Sequence, residues 1–301
     1  MIRELLERGA ASHTAIIVAG EGRALSYEQL KGEVDKLASI LRKLGIQRTD
    51  RIAMALPNGL EMIVSFLAAS TAGTAAPFNP AYKVEEFRFY LEDTNAAALI
   101  VPKGGAEQAR LAAGDRIRLI EIGLDDRGQI QVSWQGSAAA ETATALPEKD
   151  DIALVLHTSG TTSRPKRVPL SHTNLMTSTH NVAETYQLTP NDVSFCVMPL
   201  FHVHGLVAST LATLYTGGTI VVVPQINPLS FWTTVDAHKV TWYSAVPTLH
   251  QMLLARARGT EKPKGAENLR FIRSCSAALA PKTMEELESK FGAPVLEAYG
   301  M

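Results

Sequence analysis

The sequence predicts an α/β fold with stacked, mostly parallel sheets that carry helices on both faces. In the second half of the chain, stretches short enough for strands alternate with longer helical stretches. The strand stretches are apolar almost throughout, as in parallel sheets that are buried on both faces. A loop rich in hydroxyl groups follows one of these strands. In such sheets ligands bind beyond the carboxyl ends of the strands, so loops at these ends are the first candidates for function.

Residues 1–150 are predicted to form an N-terminal α/β subdomain. Its first clear element is a helix that opens at Ser26 with Gln29 three residues later, as in a capping box, and stops at Gly45. The elements predicted after it are strands over 51–56 and 97–101 and helices over 59–72 and 84–93. Residues 104–147 show only short alternating runs, which predict strands and loops leading to a boundary near Asp150.

Residues 151–301 are predicted to form a second α/β subdomain, which contains the hydroxyl-rich loop. The predicted strands cover 152–157, 193–198, 219–224, 240–246, 269–275 and 295–299. The predicted helices cover 172–186, 205–215, 228–238, 247–258 and 281–291. Because the chain stops directly after the last predicted strand, we expect it to be truncated.

The composition argues against several classes of protein. With 29 Lys and Arg against 30 Asp and Glu, the formal net charge is −1, which argues against a nucleic-acid binder. The two cysteines form no CxxC pair, so we expect neither a disulfide scaffold nor a zinc cluster. We expect a reducing compartment, the cytoplasm. The apolar stretches 62–78 and 206–224 are broken by Ser, Thr and Gly. Each fits a helix plus a strand better than a membrane span.

The most informative stretch is the hydroxyl-rich loop, whose sequence over 157–166 is HTSGTTSRPK. Its small and hydroxylated residues supply N–H and O–H donors that can surround phosphate oxygens, and Lys166 adds a mobile positive charge. A helix is predicted to begin near Ser171 and to collect these donors at its N-terminus. The ordinary alternative is a Ser/Thr-rich turn. The loop is not a Walker A motif, because GxxxxGK[ST] is absent.

Residues 158–166 resemble the TSGTTGxPKG signature of the adenylate-forming (AMP-binding) superfamily, which includes acyl-CoA synthetases, adenylation domains and luciferases. Further stretches match in the same order: PLFHVHG at 199–205 resembles PxFHxxG, SCSAAL at 274–279 resembles SGAAPL, and YGM at 299–301 resembles the start of YGMTE. The resemblance covers essentially the whole chain. Together with TWYSAVPT at 241–248, these stretches look like those of oxalate–CoA ligases and their relatives.

The resemblance implies the N-terminal domain of the adenylate-forming fold, without its small C-terminal domain. It also implies an ATP-dependent acid–CoA ligase. In the first half-reaction, a small-molecule carboxylate attacks the α-phosphate of ATP–Mg²⁺, which gives an acyl-adenylate and pyrophosphate. In the second, the thiol of coenzyme A displaces AMP. The implied ligands are therefore ATP, Mg²⁺, coenzyme A and the acid, with no protein residue assigned as a metal ligand.

The resemblance also implies roles for the residues at matching positions. The catalytic set is Lys166, His202 and Thr161. The nucleotide-binding set is Thr158, Ser159, Gly160, Thr161, Thr162, Lys166, Ser276, Ala277, Glu297, Ala298 and Tyr299. The acid-binding set is His202, His204 and Ser274. Two departures are Ser163 and Arg167, which replace family glycines; a positive φ at Arg167 would cost about 1 kcal/mol.

The residues near the acid favour a small dicarboxylate. His204, Ser274 and Ser276 are polar where a fatty-acid or coumarate pocket needs apolar lining. On a regular strand the two serines point to one face, where donors would suit a second carboxylate. Arg273 would then point to the opposite face, outside the site. Alternatively, the serines only pack small side chains against the nucleotide.

Three other interpretations remain open. One is a ligase for a medium-chain or aryl carboxylic acid. Another is a non-catalytic ATP-binding fragment, because the family's ribose-binding Asp, hinge and C-terminal catalytic Lys have no counterpart in the chain; we expect residues 1–301 alone to bind ATP weakly and to make no acyl-CoA. A plain interaction module would leave the loop unexplained. In a eukaryote the location could be peroxisomal. The oligomeric state is not predicted.

Overall fold

The computed structural model describes residues 1–125, 128–134, 145–158, 165–259 and 261–299. The chain divides into two compact units. Unit one comprises Met1–Glu7 and Tyr27–Ser178, and unit two comprises Arg8–Ser26 and Thr179–Met301. Within the described residues, each unit contains one seven-stranded sheet.

The strands of the described residues are named in chain order. They are β1 (Thr14–Val18), β2 (Arg23–Ser26), β3 (Arg51–Met54), β4 (Thr74–Pro77), β5 (Ala96–Pro102), β6 (Arg118–Leu124), β7 (Ile130–Trp134), β8 (Ile152–Thr158), β9 (Lys166–Ser171), β10 (Val193–Cys196), β11 (Thr219–Val222), β12 (Trp242–Ala245), β13 (Phe271–Cys275) and β14 (Val295–Ala298).

The helices are named in the same way. They are α1 (Tyr27–Lys43), α2 (Leu60–Ala72), α3 (Val84–Thr94), α4 (Glu107–Ala113), α5 (His172–Thr185), α6 (Ala212–Tyr215), α7 (Phe231–Ala237), α8 (Pro247–Ala257) and α9 (Pro281–Phe291). Short 3₁₀ helices cover Ile2–Glu7 and Ala266–Asn268, and a π-helix covers His204–Leu211.

The sheet of unit one has the strand order β7-β6-β5-β3-β4-β8-β9. Its inner pairs are parallel, and its two edge pairs, β6–β7 and β8–β9, are antiparallel. On one face, Phe87 and Leu91 of α3 pack in one core with Ala53 and Leu99 of the sheet. The helix α2 contacts β3, β4 and β8, and nearly all its residues are buried. This sheet is therefore covered by helices and carries the hydroxyl-rich loop between its last two strands.

The sheet of unit two has the order β14-β13-β12-β10-β11-β1-β2, with every pair parallel except β1–β2. A polar anchor joins the amino ends of three of its strands. Asp192, before β10, is 2% exposed and accepts hydrogen bonds from Arg270 Nε at 2.7 Å and from Thr241 Oγ1 at 2.8 Å. Burial acts to raise the pKa of Asp192, but these partners outweigh it, so the pKa lies below its usual value. The anchor fixes the strands whose other ends carry the candidate site.

The prediction of an α/β chain with mostly parallel sheets is confirmed. The apolar stretch 62–78 forms a helix followed by a strand, as expected. Strand β9 was not predicted, because it begins with two basic residues and contains Pro169; an edge strand tolerates both. Helix α4 lies in a segment that was predicted as strands and loops. In the described part of the chain, no helix combines the length and apolar character needed to cross a membrane.

The compact units do not divide at the predicted boundary near residue 150. Strands β8 and β9 belong to unit one, because β8 pairs with β4. The division falls instead at Ser178, within α5. In addition, β1 and β2 belong to unit two although they lie near the N-terminus, because β1 pairs with β11.

Three buried histidines, His172, His204 and His250, predict that stability falls in mild acid. Burial is the largest cause that lowers the pKa of each to about 4. In the unfolded chain they protonate below about pH 6.5, so stability present above that pH is lost as the pH falls toward 4. Each can contribute up to about 1.4 kcal/mol per pH unit.

We expect the free energy of unfolding, measured with urea, to fall between pH 7 and pH 5. The fall should be smaller in His172→Gln than in the wild type. His180→Gln, at an exposed position, serves as the control and should keep the wild-type dependence. A pH-independent free energy of unfolding would contradict this prediction.

Candidate functional site

The hydroxyl-rich sequence falls between β8 and β9, which pair as antiparallel strands of a β-hairpin in unit one. Thr158, the last residue of β8, pairs with Lys166, the first residue of β9, and both are exposed. Four predicted phosphate ligands lie outside the described residues: Ser159, Gly160, Thr161 and Thr162. The helix predicted to begin near Ser171 is confirmed, because α5 begins at His172. However, β9 lies between Lys166 and this helix, so Lys166 is not at the helix N-terminus as expected. Lys166 therefore stands at the base of a hairpin.

The base of this hairpin is anchored to the end of α3. His157 Nε2 lies 3.0 Å from Asp93 Oδ2, and the Arg167 guanidinium donates to the main-chain carbonyl oxygen of Asp93. A cation at a helix C-terminus is electrostatically favourable. Arg167 lies in β9 and is not among the residues with positive φ, so the expected cost of replacing a glycine does not arise. Arg167 instead adds a contact that glycine cannot make.

In unit two, the predicted nucleotide residues cluster at the carboxyl ends of β13 and β14. Ser276 and Ala277 follow β13, and Ala298 pairs in register with the last residue of that strand. Glu297 Oε1 accepts a hydrogen bond from the main-chain N–H of Leu279 at 2.7 Å. Tyr299 is 90% exposed, so its ring is free to stack on a flat ligand.

The two predicted histidines follow β10 at the same end of the sheet. His202 is exposed, and its ring packs against that of Phe201 with centroids 4.5 Å apart. His204 is 7% exposed and begins the π-helix. π-Helical turns are found frequently at functional sites. The two histidines therefore differ: one is open to solvent and the other is held within the unit.

His204 belongs to a continuous polar network. Its Nε2 lies 2.6 Å from Ser244 Oγ, and its Nδ1 lies 3.0 Å from Ser276 Oγ. Arg273 Nη1 donates to the same Ser244 Oγ at 2.9 Å, and Arg273 Nε donates to the Tyr186 hydroxyl at 3.0 Å. The network thus runs from a guanidinium that is 6% exposed to a serine at the surface.

One direction of these hydrogen bonds gives every donor inside the network an acceptor. Arginine has no acceptor, so Ser244 Oγ accepts from Arg273. Among the described residues, the only acceptor recorded for the Ser244 hydroxyl hydrogen is His204 Nε2. His204 then carries its own hydrogen on Nδ1 and donates it to Ser276 Oγ. Burial, followed by the charge of Arg273, lowers the pKa of His204 to about 4, so the ring is neutral at pH 7.

Arg273 lies on the face of β13 opposite Ser274, as predicted, but this is the face that meets His204, so the side chain is not apart from the predicted acid-binding residues. Its partner in register, Ser244 of β12, shares that face. Ser274 is the next residue along the strand and lies on the other face. Its buried Oγ has no hydrogen-bond partner within the described part of the chain. Ser276 lies beyond the end of β13 with φ 75°, so strand alternation does not govern its direction.

Sequence reasoning therefore missed three functional candidates: Ser244, Arg273 and Tyr186. Arg273 was excluded only because Ser274 and Ser276 were assumed to define the active face. The available signal was the juxtaposition of β12 and β13, which brings Ser244 and Arg273 together. Among the described residues, no group of three His, Cys, Asp or Glu side chains could hold a metal ion.

The chain is similar to known proteins in sequence and in fold. The chain is 42% identical over 309 aligned positions to the probable CoA ligase CCL9 of Humulus lupulus, covering 99% of the chain and 58% of that protein. It is 42% identical over 298 positions to an oxalate–CoA ligase of Arabidopsis thaliana, covering 95% of the chain and 57% of that protein. The ATP-bound MatB structure from Rhodopseudomonas palustris has a TM-score of 0.84 at 28% identity, covering 100% of the chain and 59% of MatB.

The chain thus spans 57–59% of the length of these three proteins. The profile of the family described as AMP-binding enzyme matches residues 6–301. Nearly every residue of the chain lies within that match. The chain belongs to the AMP-binding enzyme family.

Proposed function

We propose that this chain is part of an ATP-dependent acid–CoA ligase that activates oxalate or a similarly small dicarboxylate. The observation that carries the choice of acid is the network Arg273–Ser244–His204–Ser276, which ends at an exposed hydroxyl. A buried cation and a row of donors suit an anionic acid, because an anion without partners is costly to desolvate. A medium-chain or aryl acid would call for apolar lining at this position. The Arabidopsis relative, which is an oxalate–CoA ligase, points the same way.

The proposed roles follow the family positions. In unit one, Thr158 and Lys166 at the base of the hairpin, with Ser159, Gly160, Thr161 and Thr162 between them, hold the β- and γ-phosphates. In unit two, Ser276, Ala277, Glu297, Ala298 and Tyr299 border the adenine. His202 is proposed to lie near the reacting carboxylate, His204 to select the acid, and Ser274 to border it.

The chemistry needs positioning and charge neutralisation more than a protein nucleophile. MgATP enters as a substrate, and its metal ion would neutralise part of the phosphate charge. A carboxylate oxygen of the acid forms a bond to the α-phosphorus, and the bond to pyrophosphate breaks. The thiolate of coenzyme A then attacks the acyl carbon, and AMP leaves with the electrons of the anhydride bond.

Two unpaired cysteines, Cys196 and Cys275, favour a reducing compartment, which we propose to be the cytoplasm or, in a eukaryote, the peroxisome.

The direct test is pyrophosphate release by the complete gene product with a panel of acids. We expect oxalate to give the highest kcat/KM, above acetate, butyrate, octanoate and 4-coumarate. A higher kcat/KM with octanoate or coumarate would overturn the proposed acid while leaving the ligase assignment in place. Release of pyrophosphate with no acid at all would overturn both.

Replacing Lys166 with alanine is expected to weaken the handling of MgATP. Loss of one charge-assisted contact to phosphate corresponds to about 10- to 150-fold in kcat/KM for MgATP. The measurement is pyrophosphate release at varied MgATP. Lys149→Ala, at another exposed lysine of unit one, is the control and should stay within about twofold of wild type because it removes only a surface charge. Unchanged kinetics in Lys166→Ala would contradict the proposed role of the hairpin.

A further inference from the structure

Arg273 is a buried cation without a matching anion in the described part of the chain. Its side chain contacts Ser244 and Tyr186, and its guanidinium lies 5.7 Å from the centre of the Tyr186 ring. No ion pair joins it to a carboxylate among the described residues. A buried guanidinium that is held only by neutral groups is costly unless a ligand or a network compensates its charge. Nearby Arg270 contrasts with it, because Arg270 is paired with Asp192.

A chain of hydrogen bonds connects the buried Arg273 to the exposed Ser276 hydroxyl. Arg273 donates to Ser244. In the direction that gives every donor inside the network an acceptor, Ser244 donates to His204 and His204 donates to Ser276. Ser276 Oγ therefore accepts from the imidazole, and its own hydrogen remains for a group outside the network. Successive donors polarise one another in the same sense, which makes the terminal hydroxyl a stronger donor.

The backbone of Ser276 supports a specific placement of this hydroxyl. Its φ of 75° lies in the left-handed region, which side-chain-bearing residues rarely adopt. Such strain persists where the surroundings hold a residue in place, often at ligand sites. Here the hydrogen bond with His204 keeps the Ser276 side chain in place. Ser276 is also exposed, so a ligand can reach its hydroxyl.

We propose that Arg273 is a positioning residue that determines acid specificity. Acting through Ser244 and His204, it fixes the Ser276 hydroxyl as a hydrogen-bond donor to a carboxylate of the acid. The inference rests on the proposed function and deepens it. Because both ring nitrogens of His204 are engaged, contact with the acid passes to the hydroxyl of Ser276, a residue that also borders the adenine in the proposed function.

The test is a double-mutant cycle in the complete gene product, with the KM for oxalate and kcat measured by pyrophosphate release. Ser276→Ala and Arg273→Met should each raise the KM for oxalate about 10- to 100-fold, with a smaller change in kcat. The double variant should be no worse than the poorer single variant, because both remove one relay. Arg273→Lys keeps a charged donor but loses the planar guanidinium that contacts both Ser244 and Tyr186, so its KM should lie between those of Arg273→Met and the wild type.

Arg270→Met is the matched control. This arginine lies three residues away and is bound to Asp192, so its loss should lower the thermal midpoint and leave the KM for oxalate within about twofold. The Kd for MgATP, measured by calorimetry, reports whether each variant keeps its nucleotide site. Because Ser276 is exposed, its alanine variant should fold whatever happens to Arg273→Met.

The outcomes separate this inference from the proposed function. Suppose that the wild type uses oxalate. If the increases in KM of the two single variants multiply in the double variant, or if Ser276→Ala keeps the wild-type KM, the inference is overturned. The proposed function then still stands. If the wild type uses another carboxylate instead, the cycle is run on that acid and judged in the same way. A wild type that releases pyrophosphate with no acid overturns both.

Discussion

The His204→Leu variant is expected to lose about 100-fold in kcat/KM for oxalate and about tenfold or less for acetate. Leucine fills much of the volume of the imidazole but cannot bridge Ser244 and Ser276. The Ser244 hydroxyl therefore loses its acceptor while Arg273 stays buried beside it. Ser276 loses the contact that holds its hydroxyl in place. Acetate carries a methyl group where oxalate has its second carboxylate, so it depends less on the network.

His202→Leu is the matched control for this comparison. His202 occupies the position of the general family motif and is exposed, so its loss should lower the kcat/KM for both acids by a similar factor. The informative quantity is the oxalate-to-acetate ratio of kcat/KM in each variant. Equal losses on both acids in His204→Leu would show that His204 does not select the acid.

The Gly205→Ala variant is expected to lose about 3 kcal/mol of unfolding free energy. A methyl group on Gly205 would lie 2.5 Å from the carbonyl oxygen of Pro199 and 2.6 Å from that of Met198. Both neighbours are backbone atoms, so no side-chain rotation can relieve the overlap. The π-helix would have to move away from the segment that follows β10, and His204 would move with it. Activity on every acid should fall as well.

Gly32→Ala is the control for this stability measurement. Gly32 lies inside α1, is exposed, and has open space where a methyl group would be added. Alanine there should stabilise the protein by about 0.5–1 kcal/mol, because glycine loses more backbone entropy in a helix. Urea denaturation of the two variants beside wild type gives both values. A Gly205→Ala variant as stable as wild type would mean that the close approach of these backbones is not required.

The fold could be predicted where hydrophobic pattern alone decides the structure. The four residues of β11 are all apolar or β-branched and all buried, so their strand was evident. Strand β9 was not predicted, because pairing with β8 makes it a strand and its own residues have little strand propensity. The π-helix at His204 could not be foreseen, because its apolar residues fit an ordinary helix equally well.

The candidate site was only partly predictable for a related reason. Motif positions located His204 and Ser276, because their loops follow strand ends. The alternation rule correctly placed Arg273 and Ser274 on opposite faces, but it could not say which face meets His204. That choice depends on Ser244 from a neighbouring strand and on the positive φ of Ser276. Both are tertiary facts that a single strand does not encode.

We propose that a small dicarboxylate is activated as an adenylate and transferred to coenzyme A. The most direct measurement is mass spectrometry of the products formed by the complete gene product from MgATP, coenzyme A and oxalate. We expect oxalyl-CoA, with one AMP and one pyrophosphate for each thioester. Thioester formation with ADP and phosphate as the nucleotide products, or a thioester from octanoate or 4-coumarate but none from oxalate, would contradict it.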